Sequence, residues 1–187
     1  MKKIISAALL TLAMGGVHAQ AYEGQAYLGS TIGLGQLEAD CTGAVSCDTS
    51  GFGFKAYAGY KVTPNVAVEF NYLNFGKAEG SVLVGSSLLD LDIRTRAFTV
   101  NGAYHANFTP AFGGVVRFGL ASVRTKATVG VRALKKDEAK PYLGLGLDYA
   151  VNKHLKAVAA LDITEAELAV GGSGTVSLLS LGAQVEF

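Results

Sequence analysis

Leu178-Leu179-Ser180-Leu181-Gly182-Ala183-Gln184-Val185-Glu186-Phe187 ends the chain in strict alternation. Leu179, Leu181, Ala183, Val185 and Phe187 are apolar; Ser180, Gly182, Gln184 and Glu186 between them are small or polar. A period of two marks an extended strand with one apolar face. That face meets lipid in a membrane-spanning barrel, or a second sheet in a soluble sandwich. The stretch alone permits both.

The alternation recurs along the chain with a consistent phase. Leu143, Leu145, Leu147, Tyr149 and Val151 form one outward set, opposite Gly144, Gly146, Asp148 and Ala150. Val66, Val68, Phe70 and Tyr72 form another, opposite Ala67, Glu69 and Asn71. Phe98, Val100, Gly102 and Tyr104 stand opposite Thr99, Asn101 and Ala103, and Val116, Phe118 and Leu120 place Arg117 inward. Charges near mid-strand thus fall on the inner face. On a lipid face at mid-depth, an Arg or Lys costs about 2–4 kcal/mol.

The connectors decide between the two architectures. Thr63-Pro64-Asn65, the stretch His105 to Pro110, and Asn152-Lys153-His154 are short; the stretches 37–50, 77–88, 126–139 and 165–174 are long. Short and long alternate strictly, as in an up-and-down barrel with tight periplasmic turns and longer external loops. Three short and four long connectors separate eight strands. Tyr60, Tyr104, Tyr149 and Phe187 fall on the outward phase beside the short turns, as an aromatic girdle would. The expected fold is therefore all-β, an eight-stranded antiparallel up-and-down transmembrane barrel.

Composition agrees. Half of the 187 residues are apolar, and mean hydropathy is +0.32. No stretch after the N-terminus is apolar for the roughly 18 residues a spanning helix needs. Residues 1–19 read as a secretory signal peptide: Lys2 and Lys3, an apolar run from Ile4 to Met14, then Val17-His18-Ala19. Cleavage is expected after Ala19, or after Ala21, leaving 20–187 as the barrel. The leader removes two lysines and no acid, taking the net charge from +1 to −1. That balance gives no basis for a nucleic-acid partner.

Export to an oxidising compartment makes Cys41 and Cys47 a candidate disulfide, against free thiols or a metal pair. No His stands near them, and two thiolates do not complete a zinc site. No metal or other cofactor is expected. An enzyme is not expected either. His18 leaves with the signal, and His105 and His154 fall in the short turns, so acyl transfer at the external end lacks its base. Gly33-Leu34-Gly35 and Gly144-Leu145-Gly146 open no helix and read as strand glycines.

The stretch Pro141 to Val151, the terminal Leu178 to Phe187, and Gly59-Tyr60-Lys61-Val62-Thr63-Pro64-Asn65-Val66-Ala67-Val68-Glu69 together resemble the OmpA-type membrane barrel family. The resemblance covers essentially the whole mature chain. It implies an eight-stranded barrel in the outer membrane, with Phe187 as the signal read by the outer-membrane assembly machinery. Larger members add a peptidoglycan-binding domain; that activity is not carried over to a chain stopping at Phe187. The family's lumen holds a charge network. Glu69 and Asp148 match its acidic positions and Arg117 a basic one, whereas Asn101 and Val158 stand where members carry basic residues. Lys55, inward by phase, is the candidate replacement partner.

Such charges either pair to fill a narrow barrel or line an ion path. The expected role is structural or surface-interacting, with loops meeting lipopolysaccharide or external partners; the alternative is a small-solute or ion pore. Arg124, Lys126, Arg132, Lys135, Lys136 and Lys140 crowd the third external connector and its flanks, with Asp137 and Glu138 as its acids. Arg132, Lys135 and Lys136 are the candidate contacts to lipopolysaccharide phosphates, against a solvated loop. Outer-membrane lipids are the other expected partner, and a monomer is expected.

Overall fold

The computed structural model describes residues 24–37, 46–84, 87–129, 132–167 and 173–187. Of residues 46–48, 78–84, 87–92, 127–129, 132–135 and 173, the backbone alone is described. The strands are β1 (Gln25–Leu37), β2 (Ser46–Asp48), β3 (Ser50–Lys61), β4 (Val66–Val84), β5 (Ser87–Asn107), β6 (Phe112–Val129), β7 (Arg132–Ala150), β8 (Leu155–Glu167) and β9 (Ser173–Glu186). Neighbours run β4-β3-β1-β9-β8-β7-β6-β5, and β5 pairs back onto β4, closing a ring of eight antiparallel strands. Closure leaves no open edge in the wall. β2 is an addition that the sequence did not reveal: it pairs with β4 from Ser46↔Ser81 to Asp48↔Glu79.

The three short turns share one device. Thr63 Oγ1 accepts from the Val66 amide at 2.9 Å, Thr109 Oγ1 from the Phe112 amide at 2.9 Å, and Asn152 Oδ1 from the Leu155 amide at 2.9 Å. A short polar side chain bonding forward to the backbone offers the chain a turn in place of the ladder. The second turn lies later than its sequence suggests, because β5 continues through His105 to Asn107.

Two long connectors are not loops. β4 and β5 stay paired out to Val84↔Ser87, and β6 and β7 to Val129↔Arg132. The stretches 77–88 and 126–139 are thus chiefly extended hairpins. The alternation of connector lengths suggested external loops there, but ladder pairing needs neither lipid nor an apolar outer face. One β-bulge interrupts the β4–β5 ladder between Asn74 and Lys77. It holds Gly76 at φ +91°, a conformation Gly adopts without steric cost. Asn74 Oδ1 accepts the Gly76 amide at 3.1 Å.

The strand phase is as expected, and the polarity of the faces changes with height. Around mid-wall, Phe70, Phe98, Phe118 and Leu145 point out and are exposed, while Glu69, Thr99, Arg117 and Gly144 point in. Higher up, the outward positions become Arg94, Arg96, Arg124 and Lys126. The inward ones become Leu73, Phe75, Ile93, Val123, Val176 and Leu178, which pack into an apolar core. The reversal follows from the solvent: where the wall leaves lipid for water, apolar side chains are better buried inside.

Candidate functional site

The lumen is filled in layers. At the periplasmic end, Lys61 Nζ lies 2.9 Å and Lys156 Nζ 3.0 Å from Glu186 Oε1. Lys156 also reaches Asp148 Oδ2 at 3.4 Å. Gln184 Nε2 donates to Glu186 Oε1 at 3.1 Å, and Gln184 Oε1 accepts from the Tyr57 hydroxyl at 3.0 Å. His105 is buried here, its Nε2 3.3 Å from the Tyr27 hydroxyl. It was expected in a turn; the extra residues of β5 turn it into the barrel instead.

The next layer holds two buried ion pairs. Arg117 Nε donates to Glu69 Oε2 at 2.6 Å, and Tyr27 and Asn101 donate to the same carboxylate at 2.6 and 3.3 Å. Lys55 Nζ donates to Asp162 Oδ1 at 2.7 Å, and the Tyr142 hydroxyl donates to that oxygen at 2.5 Å. Lys55 and Asp162 are fully buried. Buried charges are tolerable when paired and further hydrogen-bonded; each carboxylate takes such further bonds, while Arg117 Nη1 and Asp162 Oδ2 are buried without a hydrogen-bond partner among the described residues. The Tyr57 ring lies between the cations, 5.1 Å from Lys55 Nζ and 5.4 Å from the Arg117 guanidinium. Gly144 makes room: a Cβ there would stand 2.8 Å from the Tyr142 hydroxyl and 3.1 Å from Asp162 Oδ1. The apolar layer borders these pairs, with Leu73 in register with Lys55 and Leu178 with Asp162, and Phe75 and Val176 continue it toward the external end of β4 and β9.

Lys55, Glu69, Arg117 and Asp148 were expected to form one network. Lys55, Glu69 and Arg117 share the middle layer, each acid with its own cation; Asp148 lies in the layer below with Lys156. The sequence reading missed Asp162, Lys61, Lys156, Glu186 and Tyr27. Asp162 was legible, because it shares the inward phase of Val158 and Ala160 on β8. The periplasmic charges Lys61, Lys156 and Glu186 were not, because charges at strand ends usually mark solvated rims.

At the external mouth, Lys136 and Lys140 are clasped between Glu138 and Glu167. Lys136 Nζ meets Glu138 at 3.0 Å and also Glu167; Lys140 Nζ meets Glu138 at 3.1 Å and Glu167 at 2.6 Å. Hydrogen bonds from Lys136 and Lys140 hold the Glu167 carboxyl down at about 2. Lys136 shares the inward phase of Tyr142, away from the wall's outer face. The side chains of Arg132 and Lys135 lie outside the described residues, as do the signal segment 1–19 with its cleavage site and the candidate pair: Cys41 is not described, and Cys47 by its backbone alone. Phe187 is exposed, and its amide donates to the Ala26 carbonyl at 2.9 Å. Among the described residues no three of His, Cys, Asp and Glu cluster as metal ligands would.

The barrel is similar to several solved structures at low sequence identity. Neisserial surface protein A aligns with 88% of this chain and 100% of its own at 15% identity, TM-score 0.66. Ail, the attachment invasion locus protein of Yersinia pestis, covers 89% and 100% at 16% identity, TM-score 0.60. The N-terminal barrel of Pseudomonas aeruginosa OprF covers 88% and 100% at 18% identity, TM-score 0.56. These likenesses show the fold. No curated protein sequence matches the chain. The family model described as the outer membrane protein beta-barrel domain matches residues 5–187. With the match spanning nearly the whole chain and the strand phase, ring closure and lipid-facing belt agreeing with it, the chain belongs to the outer membrane protein β-barrel domain family.

Proposed function

We propose that this outer-membrane barrel acts through its outer surface and its external hairpins, as a structural and surface-interacting protein rather than as a pore or an enzyme. The observation that carries this reading is the lumen. Two hydrogen-bonded ion pairs fill its middle, and Leu73, Phe75, Val176 and Leu178 occupy it beside and beyond them. An ion crossing that path would have to break the pairs and then enter a layer that offers it no polar partner, the kind of constriction that blocks by dewetting. In this reading the chain is exported by a leader cleaved after Ala19 or Ala21, Phe187 serves assembly, a Cys41–Cys47 disulfide braces the first external connector, and the barrel is monomeric.

Solute uptake by proteoliposomes tests the closed lumen. Vesicles containing the refolded protein should swell in isotonic small sugars no faster than protein-free vesicles. Swelling that scales with protein content would favour the pore.

A further inference from the structure

The outer face carries a positive patch at the height where its polarity reverses. Lys77, Arg94 and Lys126 stand in register across β4, β5 and β6. One step of the pleat below, about 7 Å along the strands, Arg96 is paired with Arg124. Like charges directly opposite one another on a sheet destabilise it unless something compensates. Arg124 has such a partner: its Nε and Nη2 hold Asp137 at 2.6 and 3.1 Å. Arg94, Arg96 and Lys126 point outward, and no carboxylate among the described residues pairs with them. With Asp137 taken up by Arg124, the outward side chains of Arg94, Arg96 and Lys126 leave the patch positive.

An open groove of about 1010 Å³ leads to this patch along the lipid-facing wall. Its floor follows one cross-strand row from Ala183 through Ser30 and Ala56 to Tyr72, Phe98 and Ser122. The row climbs, from near the periplasmic end of β9 into the external half of β6. Ser122 stands one pleat step below Arg124, and Phe98 one below Arg96. A shallow apolar channel therefore ends beneath Arg96, with Arg94 one pleat step above it and Lys126 in register with Arg94. We infer that this face binds a phosphate-bearing lipid of the surrounding leaflet, with its phosphate on Arg94, Arg96 and Lys126 and an acyl chain lying in the groove. Arginine can take a phosphate through two parallel N–H···O bonds, and Lys126 adds charge. The inference rests on the reading that partners meet the outer surface, and replaces the mouth-facing Lys136 with cations on the lipid side of the wall.

The test uses the full barrel in phosphatidylcholine nanodiscs doped with diphosphorylated lipid A, and measures lipid A retained per barrel after exchange against undoped discs. The variant Arg94→Gln/Arg96→Gln/Lys126→Gln should retain at least tenfold less at low salt, and the parent's excess should fall as salt rises. Dephosphorylated lipid A should be retained equally by parent and variant. Ser122→Leu leaves every charge in place and fills the groove; it should lower retention severalfold, and serves alone if the triple variant fails to fold. Equal retention of diphosphorylated lipid A by the parent and the folded variants would overturn the site. So would complete competition by millimolar inorganic phosphate, which would indicate a simple anion site without the acyl chain. A conducting lumen would sink the closed-lumen reading and leave this outcome unaffected.

Discussion

Arg117 and Glu69 meet across the lumen, Nε to Oε2 at 2.6 Å, with both side chains almost wholly shielded from solvent. Removing one member leaves the other's charge buried without its partner, which costs about 3–5 kcal/mol, whereas apolar replacement of both is often neutral. Glu69→Ala should therefore destabilise the barrel strongly, and Glu69→Leu/Arg117→Met should recover most of the loss. Urea unfolding in lipid bilayers, read by tryptophan-free tyrosine fluorescence or by heat-modifiable migration, measures both. A double variant as unstable as the single would show that the site depends on these charges for more than mutual compensation.

The lipid-facing phase makes a depth-dependent prediction. Leu145 is outward at mid-wall, and Val151 is outward at the periplasmic turn after β7. Leu145→Arg should cost about 2–4 kcal/mol and Val151→Arg about 0–1, so the first should assemble poorly and the second nearly normally. Gln184→Arg, by contrast, would disturb the lumen and not the lipid face, because Gln184 is buried and bonded to Tyr57 and Glu186. Equal yields of folded barrel from both variants would contradict the placement of the membrane.

The external mouth should loosen in acid. Its lysines hold the Glu167 carboxyl at about 2, below its ordinary 4.5. A depressed carboxylate contributes stability that is present above pH 4.5 and is lost as pH falls through about 2. The side chains are solvent-accessible, so the change should be local. Carboxyl NMR should show Glu167 titrating well below a free glutamate, and amide exchange at the outer ends of β7 and β8 should accelerate across that window. An ordinary titration midpoint would mean that the clasp does not form in solution.

Phe187 should matter for assembly and not for the stability of the finished wall. Its ring is exposed and its amide makes one bond to β1. Deleting it should lower the amount of barrel in the outer membrane while the refolded protein keeps nearly the parent's resistance to urea. Undiminished insertion at natural expression levels would remove the assembly role.

The lipid-facing half of this fold was written plainly in the sequence. Period two, the alternation of connector lengths and the inward phase of Glu69 and Arg117 follow from one constraint, that charge cannot face hydrocarbon. The external half was harder to read. Above the membrane both faces meet conditions that many sequences satisfy, so the stretch 77–88 looked like a loop and proves to be chiefly ladder. Leu73, Phe75 and Leu178 followed the expected phase, but their meaning, an apolar layer inside the barrel, depends on knowing where lipid gives way to water. The pairing of Lys55 with Asp162 joins residues 107 positions apart, and only the ring order of β3, β1, β9 and β8 brings them together. The row Arg94, Lys126 and Lys135 likewise exists only in the register.

Ion conductance of the refolded parent protein in a planar bilayer tests the closed lumen most directly. With Lys55–Asp162 and Arg117–Glu69 paired against the apolar layer, the current should stay at the level of the bare bilayer across the accessible voltages. Stable, protein-dependent steps of conductance in the unaltered protein would contradict a filled barrel and return the pore to first place.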